Sequence, residues 1–158
     1  MIYHIGVNHL DHIVIAATTL QQGVDHVMSV LGVQIPKGGV HQTMATHNHL
    51  MQLGNDAYLE VIAIDPDAPK PAHRRWFNLD SYAGHPRLMN WICRTDDLDA
   101  ALEAAPPGSG TPMRLSRGDM VWHIGVTDFG RMPFDDAMPA LIDWGDSPHP
   151  NQRLPDHG

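Results

Sequence analysis

Leu10-Asp11-His12-Ile13-Val14-Ile15-Ala16-Ala17-Thr18-Thr19-Leu20 decides the fold, because Leu88-Met89-Asn90-Trp91-Ile92-Cys93-Arg94-Thr95-Asp96-Asp97-Leu98 repeats its pattern. Each stretch reads as a short apolar strand, a Thr/Asp-rich helix start and then a helix. Each is followed by a late strand that sets a carboxylate among apolar residues, Tyr58-Leu59-Glu60-Val61-Ile62 and Leu141-Ile142-Asp143-Trp144. A unit of this kind cannot bury its own sheet. The two halves must therefore pack together, and the groove between them is the natural place for chemistry.

Alternation along residues 10–16 puts His12, Val14 and Ala16 on one face and Asp11, Ile13 and Ile15 on the other. Thr18 or Thr19 can cap the next helix, with Gln21 or Gln22 at the capping-box position. Leu20, Val24, Val27, Met28 and Leu31 then share one helical stripe, which Gly32 ends. Ile13 and Ile15 should meet that stripe, so His12 points away from its own helix. A second strand starts at Val33–Ile35 and is broken by Pro36-Lys37-Gly38-Gly39. Strands at 46–53 and 57–64 flank a hairpin turn at Gly54-Asn55-Asp56, and Tyr58, Glu60 and Ile62 share a face.

Residues 9–64 thus form one strand–helix–three-strand module, and the Pro-rich stretch 65–86 a crossover carrying Arg74-Arg75-Trp76-Phe77. The second module, 87–146, has a strand at 88–94, a helix near 97–105 and strands near 113–116, 119–127 and 139–144. Its last hairpin, from Asp128 to Met138, is longer than that of the first half. Residues 147–158 read as an extended or frayed tail. Chain 1–158 reads as one α+β domain of paired βαβββ modules with a groove between them.

Ten Lys and Arg against 18 Asp and Glu give a formal charge of −8. That balance argues against a nucleic-acid or anionic-membrane partner. The N-terminus has no signal-peptide pattern and no stretch is apolar enough to span a bilayer, so a cytoplasmic location is expected. The single cysteine, Cys93, falls in a core strand. No two of the 12 histidines have a zinc-finger or His-Glu-x-x-His spacing.

Leu-Asp-His-Ile-Val-Ile at 10–15, Thr-His-Asn at 46–48, Tyr-Leu-Glu-Val-Ile at 58–62, Arg-Trp-Phe at 75–77 and Leu-Ile-Asp-Trp-Gly-Asp at 141–146 resemble the vicinal oxygen chelate superfamily, in its glyoxalase-like domain branch. The resemblance implies the glyoxalase/bleomycin-resistance/dihydroxybiphenyl-dioxygenase-like fold, with curled mixed sheets around a cleft. It also implies a divalent metal (Zn, Ni, Mn or Fe) held by side chains from the first and last strands of each module. Those slots are His12, Glu60, Asn90 and Asp143. His12, Glu60 and Asp143 are the expected ligands, and Asn90 departs from the pattern because a neutral amide oxygen is a poor ligand for such ions. A third nitrogen could come from His47, His49 or His123.

Glu60 is the expected catalytic group. A carboxylate inside an apolar strand must be ion-paired, metal-bound or held at a raised pKa, and the last state suits a general base. His47, Asn48, Trp76, Asn90 and His123 are the expected substrate-binding residues. Three functions follow: a glyoxalase-like lyase or isomerase acting on a small molecule, a metal-free module that binds or sequesters a small ligand, and a non-catalytic member with a degenerate cleft. The long 65–86 connection would also let modules exchange between two chains as a homodimer.

Overall fold

The computed structural model describes residues 8–156. Eight strands form one mixed sheet in the order β2-β3-β4-β1-β5-β8-β7-β6. They are β1 (His9–Ala16), β2 (Lys37–His41), β3 (Thr46–Leu53), β4 (Ala57–Ile64), β5 (Arg87–Arg94), β6 (Thr111–Arg117), β7 (Met120–Val126) and β8 (Ala140–Asp143), with helices α1 (Leu20–Leu31) and α2 (Leu98–Ala104). β1 runs parallel to β4, and β5 runs parallel to β8. β1 and β5 meet antiparallel in the middle, so each half adds the same four-stranded order outward from a shared seam. The sheet curls until its two free edges, β2 and β6, come into contact. Among the described residues no helix is long and apolar enough to cross a membrane.

One face of the sheet carries the helices. Ile13 and Ile15 pack with Val27, Leu59 and Val61 beneath α1, as their alternation requires. Thr19 caps α1 by accepting from the Gln22 amide, and Gly32 donates to the Met28 carbonyl at its end. The buried stripe of α1 is narrower than expected, since Met28 and Leu31 are exposed and the buried positions are Gly23 and Val27. The reason is close approach. A Cβ at Gly23 would lie 2.4 Å from Val61 Cγ1, so the helix backbone rests directly on β4 at that point.

The other face curls around the larger core, where Val14, Ala16, Ile62, Ile92, Trp76, Phe77, Trp122 and Ile142 meet. Trp76 and Phe77 come from the crossover, whose segment Trp76–Ser81, kinked at left-handed Phe77 and Asn78, packs Trp76, Phe77 and Leu79 into this core. Buried Arg75 secures it by pairing with Asp80 at 2.5 Å and donating to the Met44 carbonyl.

Two expectations are corrected. The second strand runs through Lys37-Gly38-Gly39-Val40-His41 instead of starting at Val33, because Gly39 is held against β3 by a bond to the Asn48 side chain. The tail is not frayed at 147–156. Pro150 and Asn151 are buried in a 3-10 turn, the Asn151 amide donates to the Gly54 carbonyl, and Arg153 pairs with Asp119 at 2.6 Å. The close helix–sheet contact makes a direct test. Gly23→Ala should destabilise the fold by about 1–3 kcal/mol through overpacking against the stiff Val61 side chain, measured by urea denaturation.

Candidate functional site

His12 reaches the inner face by plain strand alternation, but Asp11 reaches it through a bulge. Leu10 pairs with Cys93 and His12 with Ile92, so Asp11 is one extra residue on β1. A bulge re-aims a side chain without ending the strand. Asp11 therefore does not join Ile13 and Ile15 under the helix. Its carboxylate is fully buried and accepts bonds on both oxygens: from His12 Nδ1 at 2.5 Å, Trp144 Nε1 at 2.9 Å and His149 Nε2 at 2.9 Å.

The chain of charge continues through His12. Its ring stacks on Tyr58 with centroids 4.4 Å apart, and its Nε2 lies 3.5 Å from Glu60 Oε2. The other Glu60 oxygen accepts from Asn48 Nδ2 at 2.6 Å. Asn48 Oδ1 in turn accepts from the Gly39 amide at 2.8 Å and from Arg117 at 3.4 Å. These bonds fix which end of the Asn48 amide faces Glu60. A Cβ at Gly38 would sit 2.2 Å from Asn48 Oδ1, so glycine there lets β2 lie close over the amide. His41 completes the polar wall, with Nδ1 at 3.0 Å from Thr46 Oγ1 and Nε2 at 3.5 Å from Asn48 Nδ2.

Electrostatics follow from this geometry. Burial alone would lower the pKa of His12, but its bonds to Asp11 and Glu60 overcome that and raise it from 6.5 to about 9. His12 is thus an imidazolium between two carboxylates. Burial would raise Asp11, yet the bonds from His12 and His149 hold it well below the usual carboxylate range. Glu60 behaves likewise, burial being outweighed by His12, His41 and Asn48. Of the three states open to it, Glu60 is in the ion-paired one, with its pKa lowered instead of raised. His41 is dominated by burial and falls from 6.5 to about 4, which leaves it neutral. Burial also pushes the Tyr58 hydroxyl well above its ordinary value.

The cavity enclosed by these groups has a volume of about 30 Å³, room for about two water molecules. His12, His41, Asn48, Glu60 and Arg117 supply its polar lining. Tyr58, Trp76, Phe77, Trp122 and Trp144 supply an aromatic wall. The indole N–H of Trp76 is buried without a hydrogen-bond partner.

Of the residues singled out from sequence, His12, Asn48, Glu60 and Trp76 line this cavity together. The others lie elsewhere. His47 sits on the helix-facing side of β3 beside Thr18 and Leu20. His49, on the same side, bonds the Ile35 carbonyl. Asn90 is buried, but its amide donates to the Asp136 and Met138 carbonyls and so anchors the long second hairpin. Asp143 accepts from the Gly145 amide, and its register partner His123 is exposed. Both point outward, because Trp122, Ile124, Ile142 and Trp144 take the inward positions on their strands. Asp11, His41, Arg117 and His149 belong to the site or its support and were not singled out.

Superfamily members commonly bind divalent metals, and the donors here can be tested against one. Only His12 Nε2 and Glu60 Oε2 converge, at 3.5 Å. Among the described residues no group of three or more His, Cys, Asp or Glu is arranged to hold an ion. The second half lines the cavity with Trp122, Ile124, Ile142 and Trp144, none of which offers a ligand atom. The set does not fit a divalent metal.

A family model described as a glyoxalase-like domain matches residues 10–158. No curated protein matches the chain. Among solved structures, a variant of Streptomyces coelicolor methylmalonyl-CoA epimerase in complex with 2-nitronate-propionyl-CoA is similar at 15% identity and a TM-score of 0.58, covering 89% of this chain and 99% of that one. Methylmalonyl-CoA epimerase from Mycobacterium tuberculosis is similar at 16% identity and a TM-score of 0.56, covering 90% and 91%. A Staphylococcus aureus protein described as hypothetical is similar at 17% identity and a TM-score of 0.56, covering 93% and 63%.

The two buried histidines predict how stability depends on pH. His12 has a folded pKa of about 9, above its ordinary 6.5, so its contribution is complete below pH 6.5 and lost as pH rises through 9. His41 has the opposite sign: the unfolded chain takes its proton more readily, so stability falls from pH 6.5 towards 4. Asp11 and Glu60, both lowered, add to the acid loss as pH falls into the ordinary carboxylate range and on towards their folded values. Denaturation midpoints should therefore peak near pH 6.5, with each histidine limb worth about 3 kcal/mol. His12→Gln should flatten the alkaline limb, and His41→Gln should remove the histidine part of the acid limb. From its sequence match over residues 10–158, carried on a paired βαβββ sheet, the chain belongs to the glyoxalase-like domain family of the vicinal oxygen chelate superfamily.

Proposed function

We propose that the chain is a small-molecule enzyme of isomerase or lyase type, moving a proton at a carbon next to a carbonyl without a resident metal. The observation that carries this reading is the buried Asp11–His12–Glu60 chain, whose last link is an open 3.5 Å. At that length the contact is much looser than the 2.5 Å His12–Asp11 bond, so it is the link for which a substrate oxygen can compete at His12 Nε2.

Glu60 removes the C–H proton, and the C–H electron pair forms the carbon–carbon double bond of an enolate. The carbonyl electron pair moves onto oxygen, where His12 Nε2–H meets the developing charge. Asp11 holds the imidazolium in place and balances it, as the orienting partner does in a general acid–base triad. Glu60 then returns the proton to the same carbon or a neighbouring one. Lowered by His12, Glu60 is a weak base at rest. It gains basicity when the substrate oxygen takes over the His12 bond.

An epimerase also removes and returns one proton, so the solved relatives support this reaction class, at the level of shared fold. Their CoA-ester ligands are far larger than a 30 Å³ cavity. The small cavity and the apolar second half favour one further reading, a binding protein without turnover.

A proton-exchange screen separates the two. Small 2-oxo acids, hydroxy ketones and acyl thioesters are incubated with the protein in D2O, and loss of the α-proton signal is followed by NMR. One class should exchange with the wild type, unaffected by EDTA, and at least about 100-fold more slowly with Glu60→Gln or His12→Gln. A compound that binds both wild type and Glu60→Gln while no class exchanges would establish the binding protein.

A further inference from the structure

We propose that Arg117 is the anchor for a carboxylate group on the substrate, gripping it at the seam where the β2 and β6 edges meet. The inference rests on the acid–base reading of the same cavity and names the substrate class: a small carboxylate whose reactive C–H lies close to the acid group.

The first observation is a guanidinium with almost nothing to do. Arg75, Arg94, Arg131 and Arg153 each pair with an aspartate. Arg117 has no carboxylate partner among the described residues, although it is half-buried and lines the cavity. Its one hydrogen bond is the 3.4 Å contact to Asn48 Oδ1. Five donors on a planar fork are thus held at a cavity with most of them unused.

Glu60 does not use them, since its two oxygens face Asn48 and His12. Asp11 does not either, being saturated by His12, Trp144 and His149. Trp76, which also lines the cavity, has a buried indole N–H without a hydrogen-bond partner, and that group too is a donor. Apart from Glu60 Oε2, which the proposed chemistry uses, the unmet capacity on these groups is the donor fork of Arg117, and the complement of donors is an acceptor-rich anion. A guanidinium fork matches a carboxylate with two parallel bonds.

The placement of Arg117 is built, not incidental. Its Cδ lies where a Cβ on Gly39 would come within 2.7 Å, so the glycine in β2 makes room for the arm that crosses from β6. One amide, Asn48, then separates the guanidinium from the proposed base, touching Arg117 with its oxygen and Glu60 with its nitrogen. An anion on the first and a C–H at the second can belong to one small molecule.

Isothermal calorimetry with malonate, at constant ionic strength and with the intact chain, tests the anchor. Malonamide serves as the neutral analogue and inorganic phosphate as the competing anion. Wild type should bind malonate and not malonamide. Arg117→Met should weaken malonate at least about tenfold while keeping the wild-type circular dichroism spectrum, and Arg117→Lys should fall between them. Equal malonate affinity in wild type and Arg117→Met overturns the proposal, as does preference for phosphate or equal binding of malonamide. Should Arg117→Met misfold, the comparison of wild type with Arg117→Lys decides, and no loss in the lysine variant overturns bidentate anchoring. The two readings fail separately. Unchanged proton exchange in Glu60→Gln removes the acid–base chemistry and leaves the anchor standing.

Discussion

The Asp11 carboxylate is the constraint on which the rest of the site depends. An unpaired charge with no exposure to water would be prohibitively costly, so the fold must bring donors to it. It does so from separate parts of the chain: His12 on the same strand, Trp144 just past β8, and His149 in the tail. One carboxylate thereby ties the first strand to the end of the second half and gives the tail a reason to dock. Because one donor is His12, the same bond sets ring orientation and charge at the centre of the cleft.

That charge is balanced within the buried cluster. The imidazolium of His12 sits between Asp11 and Glu60, and Arg117 stands beyond Asn48. Two cations and two carboxylates leave the group formally neutral, which is how so many ionised groups coexist inside a sheet. The bridging contacts are unequal. Asp11 holds His12 at 2.5 Å, while Glu60 stands off at 3.5 Å. The tight link is structural in character and the loose one is where an incoming molecule can compete.

Strand alternation made much of the first half legible: His12, Tyr58, Glu60 and Ile62 share the face it assigned, and Ile13 and Ile15 pack under α1. It failed at Asp11 because a bulge breaks the period of two, and no residue in Leu10-Asp11-His12 announces a bulge. His41 was hidden for a related reason. Gly38-Gly39 reads as a strand break, yet here the glycines let β2 lie tightly over Asn48 and beneath Arg117. In the second half the carboxylate of Asp143 drew attention away from parity, which places Ile142 and Trp144 inward. Arg117 and His149 were invisible in a different way. Both act through contacts across the whole chain, His149 on Asp11 and Arg117 on Asn48.

The two halves share a topology but not a chemistry. Where the first presents His41, Asn48 and Glu60, the second presents Trp122, Ile124 and Ile142. A metal shared by both halves needs ligands from both, so this divergence removes the coordination sphere at its root and leaves the acids and bases of one half. An apolar wall opposite them is not neutral. It lowers the local dielectric, which penalises the buried imidazolium but also strengthens its contacts to Asp11 and Glu60, and those contacts keep His12 protonated above its ordinary range. Arg117 is the exception on that wall, and it enters at the one place where the sheet fails to close, between β2 and β6. Chemistry in this fold is thus concentrated along a line from the central seam at His12 to the outer seam at Arg117, with Glu60 and Asn48 between.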